Sequence, residues 1–287
     1  MAIRSRPSSS SYDPVNIEVF KHLFASIAEE MGLILRKTSY SPNIKERRDF
    51  SCAIFDSAGQ MVAQAAHIPV HLGSMPLSVQ AAINDFTYPD DPLRPGDMII
   101  LNDPFRGGTH LPDITLVAPV FVNSEDKIPF GYVATRAHHA DVGGMTPGSM
   151  PVAREIYQEG LIIPPLRLIR SGELDVPLMN LILANVRTPR ERRGDIQAQI
   201  AANLRGILRF RDVITRFSRD QVAQYMSHLI NYTEQMTRHL ISLIPNGVYT
   251  FTDYLDDDGI GGQPVPITVS VTILGDSASV DFSGSAP

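Results

Sequence analysis

From Val15 to Leu35 apolar residues recur at helical spacing: Val15, Val19, Phe20, Leu23, Phe24, Ile27, Met31, Ile34 and Leu35 share one side of a 3.6-residue period. Asp13-Pro14 sets a capping carboxylate before a proline at the first helical position, so a helix is expected to about Lys37, loosened at Gly32. The period then falls to two. Phe50 to Phe55 and Gln60 to Gln64 flank Asp56-Ser57-Ala58-Gly59 and predict a hairpin with a glycine turn. Residues 74–86 return to helical spacing. Pro95-Gly96-Asp97 introduces a strand at 98–101, a turn follows at Gly108, and 114–122 and 130–136 predict two further strands.

Thr188-Pro189-Arg190-Glu191 has the form of a capping box and opens a helix to about Phe217; Ser218-Arg219-Asp220-Gln221 repeats it for a second helix, which ends before Pro245-Asn246-Gly247. Alternation resumes at 249–252, 267–273 and 277–282, with turns at Asp256-Asp257-Asp258-Gly259 and Gly275-Asp276. The expected class is therefore mixed, α+β. A disordered serine-rich tail (1–12) precedes a sheet-based region (13–187) with site loops. A pair of long consecutive helices (188–244) leads to the start of a β-rich region (245–287), which stops without a closing element and reads as truncated.

A hydrophobic fraction of 43% over 287 residues can fill a sizeable core, and a formal charge of −6 gives no general field for nucleic acid or an anionic membrane. The arginines crowding 187–219 are interleaved with Glu191, Asp195, Asp212 and Asp220, so a salt-bridged face or subunit contact is expected rather than a nucleic-acid surface. No run reaches the roughly eighteen apolar residues of a membrane span. The one cysteine, Cys52, allows no internal disulfide, and the N-terminus lacks the apolar stretch of a leader, which together indicate a cytoplasmic protein. Cys52 sits among apolar neighbours and reads as core filler.

Candidate chemistry concentrates in two segments. Asn102-Asp103-Pro104-Phe105-Arg106-Gly107-Gly108-Thr109-His110-Leu111-Pro112-Asp113 and Arg136-Ala137-His138-His139-Ala140-Asp141-Val142-Gly143-Gly144 each join histidine, aspartate and paired glycines near strand ends. Imidazole with carboxylate suits manganese, zinc or iron better than calcium. His110 and Asp113 are three apart around a proline-containing turn. In extended chain His139 and Asp141 share a face; if the chain is already turning, His138 and Asp141 pair instead. A third patch holds Arg48 and Asp49, followed by His67 and His71, whose intervening Pro69 opposes helical chelation and marks them as pocket or structural residues. Neither a phosphate loop nor a dinucleotide fingerprint occurs.

These segments, with Glu46-Arg47-Arg48-Asp49-Phe50-Ser51-Cys52-Ala53, His67-Ile68-Pro69-Val70-His71-Leu72-Gly73-Ser74-Met75 and Arg192-Arg193-Gly194-Asp195-Ile196-Gln197-Ala198-Gln199, resemble the hydantoinase B/oxoprolinase family from Asp13 onward. That family includes N-methylhydantoinase B subunits, the C-terminal half of 5-oxoprolinases and an acetone carboxylase subunit. The chain is similar to its N-terminal part. The resemblance implies a divalent metal (Mn, Zn or Fe) on His110, Asp113 and His138, with His139 the rival ligand. It further implies Asp141 and His139 as catalytic groups, and Arg48, Asp49, His71, Asn102 and Asp103 as substrate-binding groups. ATP would be bound by a partner subunit or domain of the hydantoinase A type, in a hetero-oligomer that opens a lactam such as 5-oxoproline or a hydantoin. The alternatives are a subunit of an acetone-type carboxylase and a non-catalytic assembly subunit.

Overall fold

Asp13 caps the first helix, its carboxylate accepting from the Val15 amide at 3.0 Å with Pro14 in the first turn. The computed structural model describes residues 13–286 except 66, 72 and 87–90; the serine-rich segment 1–12 lies outside the described residues. Helix α1 (Pro14–Thr38) buries Ile17, Phe20, Phe24, Ile27, Met31 and Leu35, whereas Val15 and Val19, grouped with that face by spacing, stay exposed. Gly32 does not loosen the helix. A Cβ there would lie 1.9 Å from His67 Nε2, so the glycine admits a ring against the helix.

After the single turn α2 (Pro42–Lys45) come β1 (Phe50–Asp56), β2 (Met61–Gln64), α3 (Met75–Asp85), β3 (Met98–Leu101), β4 (Asp113–Val120), β5 (Gly131–His138), β6 (Leu166–Arg170) and β7 (Glu173–Leu174). These strands form one antiparallel sheet in the order β2-β1-β5-β4-β3-β6-β7. Three helices follow: α4 (Val176–Ala184), α5 (Pro189–Phe217) and α6 (Arg219–Ser242).

Alternation along the strands divides the sheet between two helical layers. Ala53, Phe55, Ile99, Leu101, Val117, Tyr132 and Ala134 point to α3 and pack with Met75, Val79 and Ala82. The opposite face meets α1 and α5, where Gln199 Nε2 donates to Ile114 O at 3.0 Å and Asn203 Nδ2 to Leu116 O at 3.1 Å. Phe20 anchors the helical layer, stacked on Tyr225 at 4.4 Å between centroids and close to Phe24 and Phe217. Each such buried ring contributes about 2–3 kcal/mol through removal from water.

β5 runs two residues beyond the expected strand because Arg136, which appeared to end it, is fully buried and satisfied. Its guanidinium donates to Thr115 Oγ1 (2.9 Å), Ser78 Oγ (2.6 Å), Gly107 O (3.2 Å) and Ser74 Oγ. The capping box at Thr188 does not form: its side chain makes no capping bond, and its backbone N–H donates to Asp141 Oδ2 at 3.3 Å. Ser218 does cap α6, accepting from Gln221 N at 3.4 Å. Most of the crowded arginines are paired, among them Arg205 and Arg209 with Glu30, Arg192 with Asp195, and Arg219 with Asp126.

The chain divides into two compact units, residues up to 228 and residues from 229. The second contains the end of α6 and an antiparallel sheet of β8 (Gly247–Leu255), β9 (Val265–Leu274) and β10 (Ser277–Asp281). Register places Phe251 opposite Val269 and Tyr249 opposite Val271. The other face carries hydroxyl pairs, Thr250 with Ser270 at 3.0 Å and Thr252 with Thr268 at 2.9 Å. The aspartates at 256–258 form a turn in which Asp257 and Asp258 accept backbone N–H groups. Among the described residues no helix is long and apolar enough to cross a membrane.

Candidate metal centre

The loop before β4 is folded by its own side chains. Asn102, fully buried, donates to Leu111 O (2.8 Å) and Leu161 O (2.9 Å) and accepts from Ile163 N (2.6 Å). Asp103 accepts from Phe105 N at 2.9 Å and caps a 3-10 turn at Pro104–Arg106. Gly107 follows at φ 86°, and a Cβ there would sit 2.3 Å from the Leu77 carbonyl carbon, so only glycine lets the loop lie on α3. Asn102 and Asp103 therefore shape the loop that delivers Thr109 and His110.

Asp113 opens β4 directly opposite His138, which closes β5. His110 Nε2 lies 3.1 Å and His138 Nδ1 3.5 Å from Asp113 Oδ1, and the two rings are 4.9 Å apart between centroids. The three donor atoms lie within 4.8 Å of one another. Asp113 Oδ1 is buried and turned toward these two ring nitrogens. Its Oδ2 accepts from the Thr109 hydroxyl and faces His71 Nε2 at 3.4 Å.

Burial would raise the Asp113 pKa, but the approach of His110, His138, His71 and Thr109 outweighs it and holds the carboxyl far below the usual range. The interaction with Asp113 in turn raises the pKa of His110 against the opposing effect of burial.

Two other expected residues reach the cluster. His71, 1% exposed, shares a 3.0 Å hydrogen bond between Nδ1 and Ser51 Oγ and brings Nε2 to 3.9 Å from Asp49 Oδ1. Asp49 is partly exposed and follows Arg48, whose φ of 57° is unusual for a side-chain-bearing residue. The Asp49 carbonyl accepts from His138 N at 3.0 Å.

His139 points the opposite way. Its Nε2 is 2.9 Å from Gln199 Oε1 on α5, and burial first, then Arg192, lowers its pKa to about 4, so the ring is neutral. Strand alternation explains the division: His138 continues the Arg136 face, and His139 takes the face covered by α5. The bonds recorded for Asp141 go to Gly143 N, Arg187 N, Thr188 N, Ser149 Oγ and Arg187 Nη1. They tie the 142–149 loop to the start of α5, and they hold the Asp141 carboxyl below its ordinary pKa against burial.

Thr109, Ser51 and Arg136 were not singled out by sequence reasoning. A charged residue inside the apolar run Val133-Ala134-Thr135-Arg136-Ala137 was the available signal for Arg136. His67 rests against Phe50, 4.6 Å between ring centroids, away from the cluster, and burial lowers its pKa. Burial pushes the Cys52 thiol far up, which removes it as a nucleophile.

Two imidazole nitrogens and a buried carboxylate oxygen converging in this way make a donor set suited to manganese, zinc or iron. The model of the hydantoinase B/oxoprolinase family matches residues 13–287. The chain is 37% identical to a 5-oxoprolinase of Dictyostelium discoideum over 98% of its own length and 22% of that protein's. It is 34% identical to a putative B-type component of a D-/L-hydantoinase from a Pseudomonas species, covering 96% of this chain and 47% of that one. Among solved structures, the ATP-dependent caprolactamase of Pseudomonas jessenii superposes with a TM-score of 0.86 at 33% identity, covering 94% of this chain and 46% of that one. An acetone carboxylase shares the fold, with a TM-score of 0.83 at 18% identity over 96% of this chain and 38% of that one. The chain thus spans about half the length of these relatives or less. By its matched segments, its fold and its likeness to these proteins, the chain belongs to the hydantoinase B/oxoprolinase family.

Proposed function

We propose that this chain supplies the metal-assisted hydrolytic portion of an ATP-dependent cyclic-amide hydrolase that opens 5-oxoproline or a hydantoin. The observation that carries the reading is the convergence of Asp113 Oδ1, His110 Nε2 and His138 Nδ1, with the three residues' ligand atoms within 4.8 Å of one another. The relatives named as 5-oxoprolinase, hydantoinase subunit and ATP-dependent caprolactamase support the substrate class. A divalent ion held by these three residues supplies Lewis acidity to a lactam carbonyl or a water.

The remaining residues have separable tasks. Asp49, partly exposed beside the cluster, accepts the lactam N–H, and exposed Arg48 offers positive charge to an anionic substrate. His139 and Asp141 serve the site from behind by fixing β5 and its outgoing loop to α5, so that His138 keeps its place. Nucleotide is bound by a hydantoinase A-type partner, in keeping with the absence of a phosphate loop from this sequence.

The test combines metal analysis with ATP-dependent turnover of 5-oxoproline and hydantoins by the chain and its A-type partner. Wild-type protein should retain a divalent metal. His110→Ala should lose it, with turnover reduced by about 100-fold or more, the scale set by several kcal/mol of charge stabilisation. A metal-free wild type, together with a His110→Ala variant of undiminished turnover, would remove the proposal.

A further inference from the structure

The two oxygens of Asp113 face different groups: Oδ1 faces His110 and His138, whereas Oδ2 accepts from the Thr109 hydroxyl and faces His71 Nε2 at 3.4 Å. We propose that His71, backed by Ser51, is a positioning residue that joins the Thr109 hydroxyl in holding Asp113 Oδ2 and so turns Oδ1 toward His110 and His138. This rests on the metal reading above.

The arrangement depends on which nitrogen of His71 carries the proton. Ser51 Oγ lies 3.0 Å from His71 Nδ1 and 3.2 Å from Ile68 O. If the hydroxyl donates to Ile68, Nδ1–H donates to Ser51 and the bare lone pair of Nε2 faces Asp113 Oδ2 at 3.4 Å and Asp49 Oδ1 at 3.9 Å. That arrangement sets three electron-rich atoms against one another in a buried place with no proton between them. If the hydroxyl donates to Nδ1 instead, Nε2 carries its proton toward both carboxylates, and every polar atom of the ring has a partner of the right kind. Of the two neutral tautomers the field of the two aspartates favours the second, and a ring protonated on both nitrogens would also point Nε2–H at Oδ2.

The result is a connected run: Ser51 Oγ against His71 Nδ1, His71 Nε2 facing Asp113 Oδ2, and the Thr109 hydroxyl donating to the same oxygen. Arg136, on the same face, donates to Thr115, Ser74, Ser78 and Gly107 and leaves Oδ2 to His71 and Thr109. With Oδ2 held, the carboxylate presents one oxygen in a fixed direction, which favours one-oxygen ligation. Ser51 stands on β1 and Asp113 on β4, so the run crosses β5 and joins β1 to the ligand.

Two readouts test this on the full chain. In metal-free, 15N-histidine-labelled protein, the NMR signals lost in His71→Ala identify the ring, and their pattern should be that of the Nε2–H tautomer. Mn(II) is then titrated and followed by electron paramagnetic resonance. His71→Ala should bind it about 10- to 100-fold more weakly, Ser51→Ala by a smaller factor, and His71→Gln, whose amide nitrogen can stand near the place of Nε2, should recover most of the affinity.

A bare Nε2 in the metal-free protein overturns the proposal, as do folded His71→Ala and Ser51→Ala variants that bind Mn(II) like wild type. If His71→Ala loses binding as fully as His110→Ala while His71→Gln fails to recover it, His71 is a ligand and the positioning role falls. A wild type that binds no Mn(II) refutes the metal reading instead, and the tautomer then decides the hydrogen-bonded run alone. Should His71→Ala not fold, the wild-type pattern and its change in Ser51→Ala decide between the two tautomers.

Discussion

Replacing Gln199 by leucine tests the tie between α5 and the strand that delivers His138. The side chain is fully buried. Its Oε1 is 2.9 Å from His139 Nε2, and its Nε2 donates to Ile114 O at 3.0 Å and, at greater length, to Thr135 O at 3.4 Å. Because the amide hydrogens are committed to carbonyls, Oε1 is the acceptor and His139 Nε2–H the donor. Leucine is close in size, so loss of polar partners dominates over cavity formation. His139 Nδ1 already has no partner, and the substitution would strand Nε2–H as well, leaving the whole buried ring unsatisfied. One buried donor left without a partner costs about 1–3 kcal/mol, and loss of the Ile114 bond adds about 1 kcal/mol, so a loss of about 2–4 kcal/mol is expected. Chemical denaturation followed by circular dichroism measures it, and a melting temperature lowered by about 4–16 °C should accompany it. Asn203→Leu is the internal control. It removes a single strong bond, at 3.1 Å to Leu116 O, and leaves no histidine stranded, so its cost should be near 1 kcal/mol. A Gln199→Leu cost below about 0.5 kcal/mol, or one no larger than that of Asn203→Leu, would refute the reasoning.

Two further outcomes follow from the same physics. Gly107→Ala sets a Cβ 2.3 Å from the Leu77 backbone at a φ of 86°, which no side chain can relieve; it should cost about 2–4 kcal/mol in a thermal melt and displace the loop bearing His110, whereas Gly148→Ala, with the same φ but open space, should cost only about 1 kcal/mol. Stability should also fall on acidification. His67 and His139 have pKa values lowered by burial, so the unfolded chain binds more protons below its own histidine pKa near 6.5. The share of these two histidines is full above about pH 6.5 and declines as pH falls toward 4, with His139 alone accounting for about 3 kcal/mol and the raised pKa of His110 offsetting part of the loss. A denaturation series between pH 7.5 and 4.5 checks this, and a flat profile would contradict it.

Helices α1, α5 and α6 were legible because their apolar stripes are interrupted by polar residues at regular intervals, and the hairpins because alternation and glycine turns coincide. α4 was not. Val176-Pro177-Leu178-Met179-Asn180-Leu181-Ile182-Leu183-Ala184 is apolar almost throughout, so a 3.6-residue period has too little contrast to show. β6, Leu166 to Arg170, hid behind its arginines: Arg167 is buried beside Asp97 and Asp91, partners that sequence spacing does not announce. The same blindness cut β5 short at Arg136. At the site, histidine and aspartate could be read from the motifs themselves. Their sorting into a cluster on one side and a helix contact on the other depends on register, which long-range strand pairing fixes.

The direct pairing of Asp113 with His138 bears on how this family's sequences can change length. The loop joining β4 to β5 lies at the far end of both strands, so added or lost residues there leave the two facing donors where they are. A residue inserted between Arg136 and Ala137 would bring Ala137 opposite Asp113 and abolish the donor pair. Loss of Ala137 would instead carry His139 into that place, keeping an imidazole at the carboxylate while giving up the bond to Gln199. The doubled histidine thus gives this stretch of β5 an asymmetric tolerance, open to a deletion of one residue and closed to an insertion.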